Sequence, residues 1–240
     1  MANVWARDRA RDFYLVFAAM ALAAVLVGFS TTYFLPAARG TLDIAWVVHI
    51  HGWLAMGWIV LLIAQVALVR INLSRYHRQL GMIALPLALA IWASGIATAV
   101  WATRRALPDM GYAAYSITSG TTASLTVFLL FVIVAVMMRR RSDWHKRLIV
   151  LATIVVLWPA FFRFRHFVPS LPRPDILLAL LLANTPILIA AIRDRHRFGF
   201  VHPAWKWVGS ALFVEQTLEF LAFETGINQA PGEWLYRLLS

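Results

Sequence analysis

Two short segments share the order Ser, any residue, aromatic, His, basic, polar, Leu: Ser74-Arg75-Tyr76-His77-Arg78-Gln79-Leu80 and Ser142-Asp143-Trp144-His145-Lys146-Arg147-Leu148. Each leads into a long apolar run. Imidazole ligates haem iron and most divalent transition metals, so a His repeated at matched positions points to a paired-imidazole site between two units of the chain. Arg78, Lys146 and Arg147 would then meet propionates or other anions. The same pattern also suits an interfacial helix start, where an aromatic anchor, a His and a basic residue touch phosphate headgroups.

A second set lies inside an apolar run, His49-Ile50-His51-Gly52. On a helix the two imidazoles point about 200° apart and cannot chelate one ion. Steps of seven from His51 reach Trp58 and Gln65, a stripe that must face protein rather than lipid. His51 is therefore either a ligand or proton carrier, or a hydrogen-bonded histidine of the bundle. Tyr33, Arg39, Asp43 and the segment Arg163-Phe164-Arg165-His166 are its potential partners on the outer face.

Towards the C-terminus Glu215 and Glu219 stand four residues apart with Gln216 between them, so both carboxylates share a helix face. Two ionised carboxylates in hydrocarbon need a cation, a proton or an arginine. Glu215, Gln216 and Glu219, together with Gln65, are thus candidates for a proton or cation relay; the alternative is a last helix that is half-exposed or docked on another subunit. Asn184-Thr185-Pro186 marks a locally opened helix that lines the same cavity or is a simple kink. His202, just before the last apolar run, joins His77 and His145 as a candidate ligand for a divalent metal.

The elements that must position these residues are membrane spans. The chain of 240 residues is 61% hydrophobic and 14% charged, with a mean hydropathy of +0.72. Seven apolar runs are expected to cross as helices: 13–35, 44–69, 80–102, 113–138, 148–162, 176–192 and 207–223, each near the roughly 17 to 25 residues a span needs. The first run is too long for a removable leader and lacks a small-residue cleavage site. The expected fold is an all-α polytopic bundle forming a single integral membrane domain over 1–240, with a cytoplasmic segment 1–12 and an outer C-terminal segment 224–240. The shared motif makes spans two-three and four-five parallel repeat units about an axis along the membrane normal.

Orientation follows from the basic loops. With the N-terminus inside, 15 of the 22 Lys and Arg fall on the cytoplasmic side, which implies a bacterial inner membrane with the C-terminus in the periplasm. Basic residues beside spans fit anionic lipid headgroups, and nucleic acid is excluded because no soluble domain presents a groove-reading element. Several of the 11 Trp, including Trp46, Trp101, Trp144, Trp205 and Trp207, sit near span ends as interfacial anchors. Cysteine is absent, so no thiolate metal ligand or cysteine-held cluster exists.

Taken together, His51-Gly52, His77-Arg78-Gln79-Leu80-Gly81, His145-Lys146-Arg147-Leu148 and His202-Pro203-Ala204 resemble the motifs of a family of small bacterial seven-span integral membrane proteins. The resemblance implies the seven-span fold and singles out His51, His77, His145 and His202, but implies no reaction. Glu215, Gln216 and Glu219 depart from that family's usual last span. The expected function is that of a non-enzymatic accessory subunit docking a larger membrane complex of redox or pigment type. A haem- or metal-binding redox protein built on His77 and His145, and a proton-coupled transporter built on Glu215 and Glu219, are the alternatives.

Overall fold

The computed structural model describes residues 11–240, and every regular element among them is helical. Most of the segment 1–12, with Arg7 and Arg9, lies outside the described residues. Helix α1 (Arg11–Gly28) buries a small-residue face of Ala18, Ala21 and Ala24. At its end a Cβ on Gly28 would stand 2.3 Å from the Ala160 carbonyl oxygen, so glycine alone permits this approach. A π-turn (Ser30–Phe34) then leads into the single turn Leu35–Ala38, and this extension bends by 43° from α1.

Helix α2 (Trp46–Arg70) is followed, after Asn72 in the left-handed region (φ 62°), by the short α3 (Ser74–Gly81). Helices α4 (Ala84–Met110) and α5 (Tyr115–Met137) are joined through Gly111, whose φ of +55° reverses the chain. Trp92 Nε1 donates to Thr126 Oγ1 at 3.1 Å, and the Thr103 and Thr118 hydroxyls lie 2.7 Å apart. One partner number rises as the other falls, so the two helices form an antiparallel hairpin.

Helix α6 (Ser142–Phe162) is the axis of the bundle: 61% of its most apolar stretch is buried, against 22% to 33% in the other long apolar segments. Around it Trp58 of α2 meets Phe128 of α5 edge-on at 5.0 Å and donates its indole N–H to Thr153 of α6 at 3.1 Å. Leu151, Ile154, Leu157 and Val132 complete this centre with no exposed surface. Trp58 thus faces protein, as its place on the His51 stripe requires.

The C-terminal part is less regular. A π-helical stretch (Asp175–Leu182) runs into α7 (Ala183–Phe198), which stops at Gly199 (φ +79°) with the Gly199 amide on the Arg195 carbonyl. A second π-turn (Ala204–Gly209) opens α8 (Ser210–Ala222), and α9 (Gly226–Leu239) packs on the start of α5. There a Cβ on Gly232 would meet the Tyr115 carbonyl oxygen at 2.0 Å.

Among the described residues four segments are long and apolar enough to cross a bilayer, Trp46–Arg70, Ser74–Met137, Ser142–His166 and Asp175–Phe198, or five if the bent α1 pair is one span. Large apolar side chains such as Val60, Leu188 and Leu221 are exposed on them and on α8. These features are compatible with a membrane protein, whose lipid-facing surface carries no burial requirement against protein.

Candidate functional site

Ser74 and Ser142, the first residues of the repeated motif, each begin a helix, so His77 and His145 occupy the same turn of α3 and α6. The structure brings the two imidazoles together: their ring centroids are 6.4 Å apart and their planes perpendicular. His145 Nδ1 lies 2.8 Å from the Ala135 carbonyl. A carbonyl only accepts, so Nδ1 carries the hydrogen and Nε2 keeps its lone pair in the neutral ring. The Gln65 backbone carbonyl faces His77, while His77 Nδ1 and both amide atoms of Gln65 are buried without a hydrogen-bond partner. One turn on from His77, Gly81 leaves room for that amide, since a Cβ there would stand 3.5 Å from Gln65 Nε2. Gln65, a relay candidate on the His51 stripe, thus stands beside His77.

Two imidazoles bound to one ion at about 2.0 to 2.1 Å have ring centroids about 5 to 6 Å apart, close to the spacing found. Edge-on aromatic pairs fall in the same range. The buried, unpartnered atoms of His77 and Gln65 distinguish this pair from simple packing, because orphaned polar groups in an apolar interior are costly.

The expected third ligand is elsewhere. His202 Nδ1 accepts the Ala204 amide at 3.1 Å, so Nε2 must carry the hydrogen that it directs to Asp143 Oδ2 at 3.3 Å. Both ring nitrogens are thereby used, and among the described residues no three His, Asp or Glu converge as a metal site. His202 also sits edge-on to Trp144 at 5.2 Å. Burial and the nearby Arg147 charge hold it below the usual imidazole value, against the opposing pull of Asp143 and Asp194.

Arg147, expected to meet a bound anion, is turned inward. It has no exposed surface and pairs with the equally buried Asp194 of α7, Nη2 reaching Oδ2 at 3.0 Å and Oδ1 at 3.3 Å. Its Nη1 donates to the Asp143 carbonyl at 3.0 Å, and Arg193 joins Asp194 at 3.0 Å. The anionic partner of Arg147 is thus internal. Trp205, expected at the interface, is also buried, with the Arg147 guanidinium 6.0 Å from its ring centre. Lys146 lies over Tyr14 at 5.2 Å, and Arg78 is exposed beside the histidine pair.

His51 is remote from that pair. Its Nδ1 lies 3.1 Å from Ser94 Oγ, and the ring fills the space left by Gly95 of α4, the arrangement of a bundle histidine. His49 meets Tyr33, Nδ1 to hydroxyl 2.8 Å, with Trp46 and Trp53 around it.

A separate polar patch gathers on α8. Glu219 accepts from Ser124 at 2.8 Å and lies against Gly120, where a Cβ would stand 2.5 Å from Oε1. Gln216 Oε1 accepts from Asn184 Nδ2 at 2.6 Å, and Glu215 Oε2 is buried without a partner. Glu215, Gln216 and Glu219 therefore stay together, joined by Asn184.

Asp194 and Ser124 were missed in the sequence. A single acid in the basic run Arg193-Asp194-Arg195-His196-Arg197 was the available signal for the first; nothing local marks the second. No protein-family description, curated relative or solved structure matches this chain, so the family resemblance of its motifs assigns it to none.

Proposed function

We propose that this chain is a polytopic inner-membrane protein that binds one metal ion or haem iron between His77 and His145 near its cytoplasmic face, serving a larger membrane complex as a redox or metal-handling subunit. The observation that carries this reading is the approach of two repeated histidines to 6.4 Å beside unpartnered Gln65. His145 Nε2, the imidazole of His77 and the Gln65 amide oxygen are the donors, and Arg78 is the cation at hand for an anionic cofactor edge. The proposal includes seven spans. The α4–α5 hairpin divides one long apolar segment into two, the bent α1 pair adds one, and α8 with its π-turn supplies the last. A parallel repeat is supported by the identical helix starts at Ser74 and Ser142, and the N-inside orientation by the basic loops.

The test is an absorption spectrum and metal analysis of protein extracted in mild detergent. The expected result is either a Soret band or about one equivalent of metal, lost in both His77→Ala and His145→Ala and kept in His202→Ala. A wild-type protein with neither signal would overturn the site.

A second reading, proton transfer at Glu219, is favoured by the contact of that carboxylate with Ser124 on another helix. It is checked by a pH-sensitive dye in proteoliposomes: Glu219→Gln should abolish an imposed-gradient proton flux that the wild type supports.

A further inference from the structure

We propose that the groove between α7 and α8 is a specific site for one anionic phospholipid, with its acyl chains in the groove and its phosphate on Arg195 and Lys206. The groove encloses about 950 Å³, at the large end of the roughly 300 to 1,000 Å³ of small-molecule sites. Its walls are apolar, with Leu188, Phe213 and Val214 exposed along it, while Arg195 and Lys206 are its cationic residues. An amphiphile with one anionic end matches this division of charge.

A further atom points to a ligand with acceptors of its own. Trp205 lines the groove, is 2% exposed, and its indole N–H has no partner. An indole N–H without a partner is costly in an apolar setting and suits an ester carbonyl or phosphate oxygen. α7 and α8 each follow a π-helical stretch, and at Gly209 a Cβ would meet Ile187 at 2.9 Å, so the two walls approach closely there.

This inference rests on the membrane reading but not on the histidine pair, so a protein free of metal leaves it standing. Native mass spectrometry of the full chain in mild detergent, titrated with phosphatidylglycerol and separately with phosphatidylcholine, tests it. Wild type should hold one phosphatidylglycerol in preference to phosphatidylcholine. Arg195→Gln with Lys206→Gln should weaken that binding on the order of tenfold to thirtyfold, and Leu188→Trp should block it by filling the groove from an exposed position. The control is Arg139→Gln with Arg140→Gln, two exposed charges outside the groove, which should leave it unchanged. Equal binding of the two lipids, or an equal loss in the control, overturns the site in favour of diffuse attraction to a basic face.

Discussion

Arg147 and Asp194 form a fully buried pair, so at the level of single residues its two halves are unequal to the whole. Removing Asp194 leaves the Arg147 charge buried and uncompensated, at a cost of about 3 to 5 kcal/mol, and removing Arg147 leaves Asp194 to Arg193, at 3.0 Å, whereas replacing both members of such a pair by apolar groups of similar size is often neutral. Asp194→Leu should therefore lower the melting temperature in detergent sharply and Arg147→Met less, and the double variant should recover most of the Asp194→Leu loss. Two losses that simply add would mean the charges are stabilised independently of one another. His202, packed beside this pair, gives a pH signature. Its value is lowered in the folded protein, so as pH falls below about 6.5 the unfolded chain takes up the proton first and stability falls with it. Above that pH neither state is protonated and the contribution is whole. Melting temperatures measured between pH 7.5 and 5.5 should decline in the wild type and decline less in His202→Gln, which removes the titrating ring.

Between helices, contact is set by what the backbone itself can touch. Gly28 of α1 and Gly232 of α9 each lie against a carbonyl oxygen of a neighbouring helix, Ala160 and Tyr115 respectively, at distances no Cβ tolerates. Overpacking of this kind costs about 1 to 3 kcal/mol. Gly28→Ala should act on the α1–α6 contact and lower the melting temperature of the whole bundle. Gly232→Ala should act on α9 alone, increasing protease access to the C-terminal segment with a smaller effect on melting. These consequences follow from partners that are distant in sequence, which is why they were not legible there. What was legible is local: apolar runs that become helices and a Trp58 that had to face protein, while the helices that begin at Ser74 and Ser142 start about two turns ahead of the apolar runs at 80 and 148. The approach of His77 to His145 had a signal in the repeated motif, which suited a paired-imidazole site and an interfacial helix start alike. Arg147 with Asp194, Ser124 with Glu219 and the double use of the His202 ring depend on how helices rotate against each other, and no local pattern encodes that rotation. Trp205 misled for the same reason, since an aromatic ring near a span end looks alike whether it faces lipid or the Arg147 side chain.

For the molecule as a whole, the proposed orientation links the basic loops to the location of the histidine pair. Exposed arginines at 139–141 stand on the turn between α5 and α6, next to His145, so whichever side of the membrane holds that turn also holds the His77–His145 site. Translocating such a loop is disfavoured, and the excess of Lys and Arg on the same side argues for the cytosol. The chain contains no cysteine, so a single introduced thiol reports only its own position. Arg140→Cys, exposed on that turn, should resist a membrane-impermeant maleimide in intact cells and react once the membrane is permeabilised. Ser170→Cys, exposed on the loop after α6 at the opposite end of that helix, should react in intact cells. The reverse pattern would put the imidazole pair and the Arg195–Lys206 end of the groove in the periplasm, where neither a cytosolic metal supply nor the anionic inner leaflet could reach them.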